Sequence, residues 1–240
     1  MARLARLSAP GLPHIVVQRG HNRQPVFEDD EDFRSYQSAL REAALPARTA
    51  VHAYVLLPDE IWLLVTPAEE GGLSRTMQAV GRRYVTGFNR RHGRTGTMWD
   101  GRFRAGVIEP SRLVAAMLAL ETLPQRRGLV TEAVEWAWSS AGHHLGRRHD
   151  TLVTDAAGYW ALGNTPFERE MAYARLLEQG LSADDIRAVE GCALKGWAWG
   201  HPAFVAELEK TTHRRAAPRP RGRPRRDMSP ISKGANEIHK

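Results

Sequence analysis

The 240-residue chain contains a single cysteine, Cys192. That excludes an internal disulfide framework and fits a reducing compartment, with the cytoplasm as the default location. No stretch approaches the roughly eighteen consecutive apolar residues needed to cross a bilayer, so no membrane span is expected. The segment MARLARLSAPGLPHIVVQ has two arginines and no apolar core ahead of Pro10 and Pro13, and is not read as a secretory signal. No motif recurs at a fixed period, which excludes a solenoid or propeller. Acids are scarce in one region: residues 211–240 hold nine Lys or Arg against two acids, while the other 210 residues carry 25 of each. The net charge of +7 therefore belongs to a cationic tail on a neutral body. Such a tail suits an anionic polymer, although composition alone equally describes a solubilising disordered end.

With 42% hydrophobic residues the chain can bury one ordinary core plus a small appendage. HIVVQ at His14 to Gln18 reads as a strand. In EDDEDFRSYQSALREAAL, acids crowd the start while Phe33, Tyr36, Leu40 and Ala44 recur at helical spacing. Ala50 to Leu57 and Ile61 to Thr66 are β-prone runs joined through Pro58-Asp59, so they should pair as an antiparallel hairpin. Leu73 to His92 predicts a helix with Leu73, Met77, Val80, Tyr84 and Phe88 on one side and Arg75, Arg82, Arg83 and Arg90 on the other. A Gly- and Arg-rich loop leads to a short strand at Ala105 to Glu109, then to an apolar helix from Ser111 through about Leu123, before Pro124. This order predicts an α+β fold: an antiparallel sheet of about four strands with helices packed on it. We expect that domain over residues 1–145, a helical extension over 146–210 that packs on the sheet domain or is loosely tethered to it, and a disordered basic tail over 211–240.

At the hairpin, residues 60 and 62 share a face of the second strand, and two histidines there could hold one divalent metal. This chain has Glu60 and Trp62. Around them, QRGHNRQPVF (Gln18 to Phe27), HAYVLLPDEIWLL (His52 to Leu64), RRYVTGFNRRHGRTGTMWDGRFRA (Arg82 to Ala105), LALETLPQRRGLV (Leu118 to Val130) and WSS (Trp138 to Ser140) follow in order. They resemble the motifs of REP-associated tyrosine transposases, which belong with the HUH single-strand nucleases: SRGNNRQPIF, HAYVLMPNHVHLL, RRYVRYFNRRHGRTGTLWEGRFRS, RYIELNPVRAGLV and WSS. The resemblance spans roughly residues 1 to 145 and is expected to continue into the helical extension. It implies the ferredoxin-like HUH fold, Mg²⁺ or Mn²⁺ as cofactor, and a tyrosine that displaces a 3′ hydroxyl to leave a 5′-phosphotyrosine link.

The departures fall on the chemistry. Glu60 and Trp62 stand at the metal-binding histidines, and an indole offers no lone pair to a hard cation. Ala119 stands at the nucleophilic tyrosine, and Leu123 at the amide that completes the metal shell. No catalytic residue, metal or cofactor is therefore expected. As substitutes, Glu60 with His52 reads less readily as a Mg²⁺ site than as a solvated rim; Tyr84 reads as core, and the adjacent His143 and His144 as surface.

Cations are spared. Arg75, Arg82, Arg83, Arg90, Arg91, Arg94, Arg102 and Arg104 face one acid, Asp100, between residues 75 and 104. Arg19 and Asn22 join them through the resemblance as expected DNA contacts, and Trp99 and Phe103 read either as stacking platforms or as core. In PRPRGRPRR, Arg219, Arg221 and Arg223 lie in an RGRP core that resembles the AT-hook, which enters the minor groove of A·T-rich duplex. The sequence thus reads as a cytoplasmic, nucleoid-associated, transposase-derived DNA-binding protein, its partner single-stranded or hairpin DNA and not a membrane. An active transposase with a non-standard nucleophile and metal site, and a genomic remnant without selected activity, remain the alternatives.

Overall fold

The computed structural model describes residues 6–218. Strand β1 (His14–Arg19) leads through a 3-10 turn to helix α1 (Asp30–Ala44), and the hairpin β2 (Thr49–Leu57) and β3 (Glu60–Pro67) precedes α2 (Gly72–Arg91). Strand β4 (Arg104–Val107) follows, then α3 (Leu113–Glu121) and the short α4 (Leu123–Arg126). After these come α5 (Ala141–His144), α6 (Ala157–Trp160), α7 (Pro166–Gln179), α8 (Ala183–Lys195) and α9 (Pro202–Thr212). The strands form one antiparallel sheet in the order β2-β3-β1-β4. The expected α+β architecture is the one observed.

Strands β2 and β3 are apolar almost throughout because both faces of the sheet are covered. Val16, Tyr54, Leu56, Ile61 and Leu63 pack beneath α1 and α2, meeting Phe33, Tyr36, Leu40, Met77, Val80, Tyr84 and Phe88. Ile15, Val17, Val55, Trp62 and Leu64 face the other way, onto Met117 and Leu120 of α3 and Val189 and Cys192 of α8. Each such aliphatic side chain removed from water contributes about 1.5–3 kcal/mol. A bulge between Val51 and Ala53 sends those two residues into opposite layers.

The extension is packed, not tethered. Helix α8 lies so close to β4 that a side chain at Gly106 would sit 2.4 Å from Cys192 Sγ and from the Trp197 carbonyl, so only glycine allows the approach. Both sheet edges are covered as well. Leu56 N–H donates to Trp138 O at 2.9 Å beside β2, and Trp199 N–H donates to Val107 O at 2.9 Å beside β4. Helix α9 runs to Thr212 and Ala216 is buried with Leu7, Val107 and Leu208, so packing continues past residue 210. The helix expected from Ser111 to Leu123 is divided: α3 stops at Glu121, and Pro124 sits in the first turn of α4, where its missing N–H has no partner to lose.

Candidate functional site

The loop after β1 is fastened to the hairpin turn. Gly20 N–H donates to Asp59 O at 2.8 Å and Val26 N–H to Pro58 O at 2.7 Å. A Cβ at Gly20 would lie 2.2 Å from the Gln24 carbonyl. Asn22 and Arg23 then adopt left-handed backbone angles, φ 52° and 59°, a conformation that non-glycine residues hold only when their surroundings enforce it.

This fastening brings arginines onto Glu60. Arg19 Nε lies 2.7 Å and Arg23 Nη1 3.1 Å from Oε2, and Arg127 Nη2, just past α4, lies 2.6 Å from Oε1. Arg23 also reaches Asp59 at 3.0 Å. Glu60 is fully buried, which corrects its reading as a solvated rim residue. A carboxylate at this depth is held by the three charge-assisted contacts.

Trp62, two residues on, packs into the layer beneath α3, α4 and α8. It shares a niche with Ala119, Leu120, Leu123, Arg126, Val189 and Glu190 that has no room for a water molecule. Its Nε1 has no hydrogen-bond partner among the described residues. Trp62, Ala119 and Leu123 therefore converge in space with α8 closing over them, while Glu60, two residues earlier on β3, is held by its arginines.

The basic run divides into two sets. Arg75 pairs with Glu69 at 3.1 Å, Arg83 with Glu42, Arg91 with Asp29 and with Asp32 at 2.5 Å, and Arg94 with Glu28 at 3.9 Å. Hydrogen bonding from Arg91 holds the Asp29 carboxyl down at about 2. Among the described residues no carboxylate forms an ion pair with Arg82, Arg90, Arg102 or Arg104, although Arg104 donates to Leu194 O at 3.3 Å. All four, and Asn22, are exposed. Trp99 and Phe103 are buried, and Arg6 stacks over the Phe103 ring at 3.7 Å, so neither is a free platform for a base. Arg219, Arg221 and Arg223 lie outside the described residues.

The chain has five tyrosines, and Tyr36, Tyr54, Tyr84, Tyr159 and Tyr173 are all buried. Desolvation raises every phenol pKa, that of Tyr159 to about 12. Tyr84 donates to the Val26 carbonyl, in keeping with its core reading.

His52 lies in the bulge with both ring nitrogens engaged, on Thr154 O at 2.8 Å and Thr66 Oγ1 at 2.9 Å. His144 is fully buried, which corrects its reading as a surface residue. Its Nδ1 lies 2.6 Å from Glu121, a buried carboxylate that also accepts from Ser140 at 2.5 Å and Tyr173 at 2.7 Å. His143, His144 and Asp155 bring candidate metal ligands within 4.8 Å of one another. The His143 ring is already committed, however. Nδ1 accepts from Asp150 N–H at 3.1 Å, which leaves the proton on Nε2 to donate to Asp155 at 3.2 Å. The cluster ties α5 and α7 to the sheet domain as a polar network.

Sequence reasoning missed Arg23, Arg127 and the Glu121 network. Arg127 left a signal: it stands where the motif NPVRAGLV has alanine.

No family model matches the chain, and no curated protein does. Among solved structures, that of a REP-associated tyrosine transposase bound to a REP hairpin superposes with a TM-score of 0.52 at 15% identity, covering 66% of this chain and 93% of that one. A second match, to a protein from Deinococcus radiodurans R1 assigned as a transposase, has a TM-score of 0.34 at 20% identity over 43% of this chain and 84% of that one. No described helix is long and apolar enough to cross a membrane. The chain has the fold of a REP-associated tyrosine transposase.

Proposed function

We propose that this protein binds single-stranded or hairpin DNA through its cationic surface and does not cut it. The observation that carries the reading is the burial of all five tyrosines in a chain that leaves Arg82, Arg90, Arg102 and Arg104 exposed, with no acidic partner among the described residues. A phenol inside the core cannot reach a backbone phosphate, whereas an exposed guanidinium can. The donor set at the hairpin does not fit a divalent cation. The Trp62 indole supplies no lone pair, and the Glu60 carboxylate is already bound by three guanidiniums. Two further observations support the reading: the solved transposase of this fold was bound to a REP hairpin, and Trp62, Ala119 and Leu123 are buried in one apolar cluster with no room for a water molecule between them. Arg19 contributes through the Glu60 cluster, Asn22 through the exposed loop, and Arg219, Arg221 and Arg223 through A·T-rich duplex.

The test is a mixture of purified protein with labelled hairpin and single-stranded DNA in Mg²⁺ or Mn²⁺. A mobility shift on a native gel with no protein–DNA adduct on a denaturing gel is the expected result. An adduct would overturn the loss of cleavage, and absence of a shift at moderate salt would overturn binding.

A further inference from the structure

We propose that Arg19, Arg23 and Arg127, gathered on Glu60, form a clamp for one backbone phosphate of the bound strand. This rests on the nucleic-acid reading above and adds a site that lies off the α2 arginine face.

Three cations converge on one point because a buried anion holds them there. Glu60 is inaccessible, while the side chains of Arg19, Arg23 and Arg127 remain 24%, 50% and 41% exposed. A ligand arriving from solvent therefore meets guanidinium edges and never the carboxylate beneath. Even with Asp59 counted on Arg23, the cluster keeps a net positive charge. Among the described residues, Arg19 Nε, Arg23 Nη1 and Arg127 Nη2 alone hold the acids, and most of the donors on three planar forks remain for another anion.

The supports are rigid. Arg19 ends β1 in register with Glu60, Arg127 caps α4, and Arg23 is fixed in a left-handed turn fastened to the hairpin. Ordering a long side chain on binding costs about 0.5–1.5 kcal/mol, and Glu60 removes much of that cost beforehand. A phosphodiester, tetrahedral and singly charged, matches such forks in charge and geometry.

The experiment uses the full chain and a labelled hairpin oligonucleotide with single-stranded flanks, into which neutral methylphosphonates are introduced one position at a time. One position should weaken binding to the wild type about tenfold, and the Arg23→Ala/Arg127→Ala protein should bind the unmodified DNA about tenfold more weakly and ignore that same methylphosphonate. Glu60→Gln, although it adds positive charge, should also weaken binding, because the forks lose their anchor. If the alanine pair fails to fold, Arg23→Lys/Arg127→Lys keeps the charge, loses the fork and reads the same contact. Wild-type binding that is unchanged in every variant, or equal or tighter binding by Glu60→Gln, would overturn the clamp while leaving DNA binding intact. No binding of the unmodified hairpin by the wild type would overturn the nucleic-acid reading itself and the clamp with it.

Discussion

Replacing Arg82, Arg90, Arg102 and Arg104 with alanine removes the four cations of the basic run that no described carboxylate neutralises. An arginine already paired with Glu42 or Glu69 reaches a polyanion as a neutral couple, whereas a lone guanidinium displaces condensed counterions. Each phosphate neutralised on a single strand contributes about 0.7 to the slope of log K against log salt, so four lost contacts flatten it by about 2.8. Between about 50 and 200 mM salt, the variant should lose roughly 50-fold less affinity than the wild type. Fluorescence anisotropy with a labelled hairpin at a series of salt concentrations reads that slope. The comparison protein carries alanine at Arg75, Arg83 and Arg94, each of which pairs with a glutamate, and its slope should change by less than about 1. Equal flattening by both sets would refute the premise that intramolecular pairing decides which arginines meet phosphate. An unchanged slope in the first set would remove the run from the interface.

Acid should destabilise the fold through His14, which is fully buried, with Nδ1 donating to Leu12 O at 2.7 Å and Nε2 accepting from Ala9 N–H at 3.2 Å. Burial lowers its pKa to about 4. Between pH ~6.5 and ~4 the unfolded chain takes up a proton that the folded chain refuses, so stability falls with falling pH, by about 3 kcal/mol in all. Urea melts at pH 7, 6 and 5 measure it, and an equal slope in His14→Gln would rule His14 out as the source. Trp62→Ala empties a closed niche and should cost about 3–5 kcal/mol; a loss under about 1 kcal/mol in chemical denaturation would mean that the indole fills no space there. Gly106→Ala drives a methyl into Cys192, so α8 must move off β4. The Cys192 thiol, buried and with its pKa raised by burial, should turn from unreactive to reactive toward a thiol-specific reagent in that variant, and protection that persists would contradict the close approach.

Local signals carried most of the fold. The Pro58-Asp59 turn between two β-prone runs marks the hairpin, and the three-to-four spacing from Leu73 to Phe88 marks α2, because both patterns arise within a single element. Pro124 misleads because a proline ends one helix and opens another equally well, and only the break at Thr122 decides between them. Glu60 and His144 could not be placed from sequence, since their burial is set by partners 41, 37, 67 and 23 residues away along the chain. The Arg83 and Arg91 pairs lie similarly far off, on α1 and its cap, so the basic run looks more cationic in sequence than it is in space.

Glu60 also shows how the folded chain offsets the cost of a buried charge. Moving an isolated carboxylate into the interior costs several kcal/mol, against a total stability of about 5–15 kcal/mol for a typical domain. A carboxylate on β3 without partners would leave that cost standing. Here it is offset by residues on three separate elements, one of them an arginine where the resembled motif reads alanine, and the neighbouring Trp62 is matched by small or apolar partners at Ala119 and Leu123. These positions fit one another as a set: a charged cluster at the mouth of the hairpin and a closed apolar niche behind it. Because the partners of Glu60 lie 37 to 67 residues away along the chain, the set is coupled only in the folded protein, and removing one member leaves a buried charge or an open niche for the others.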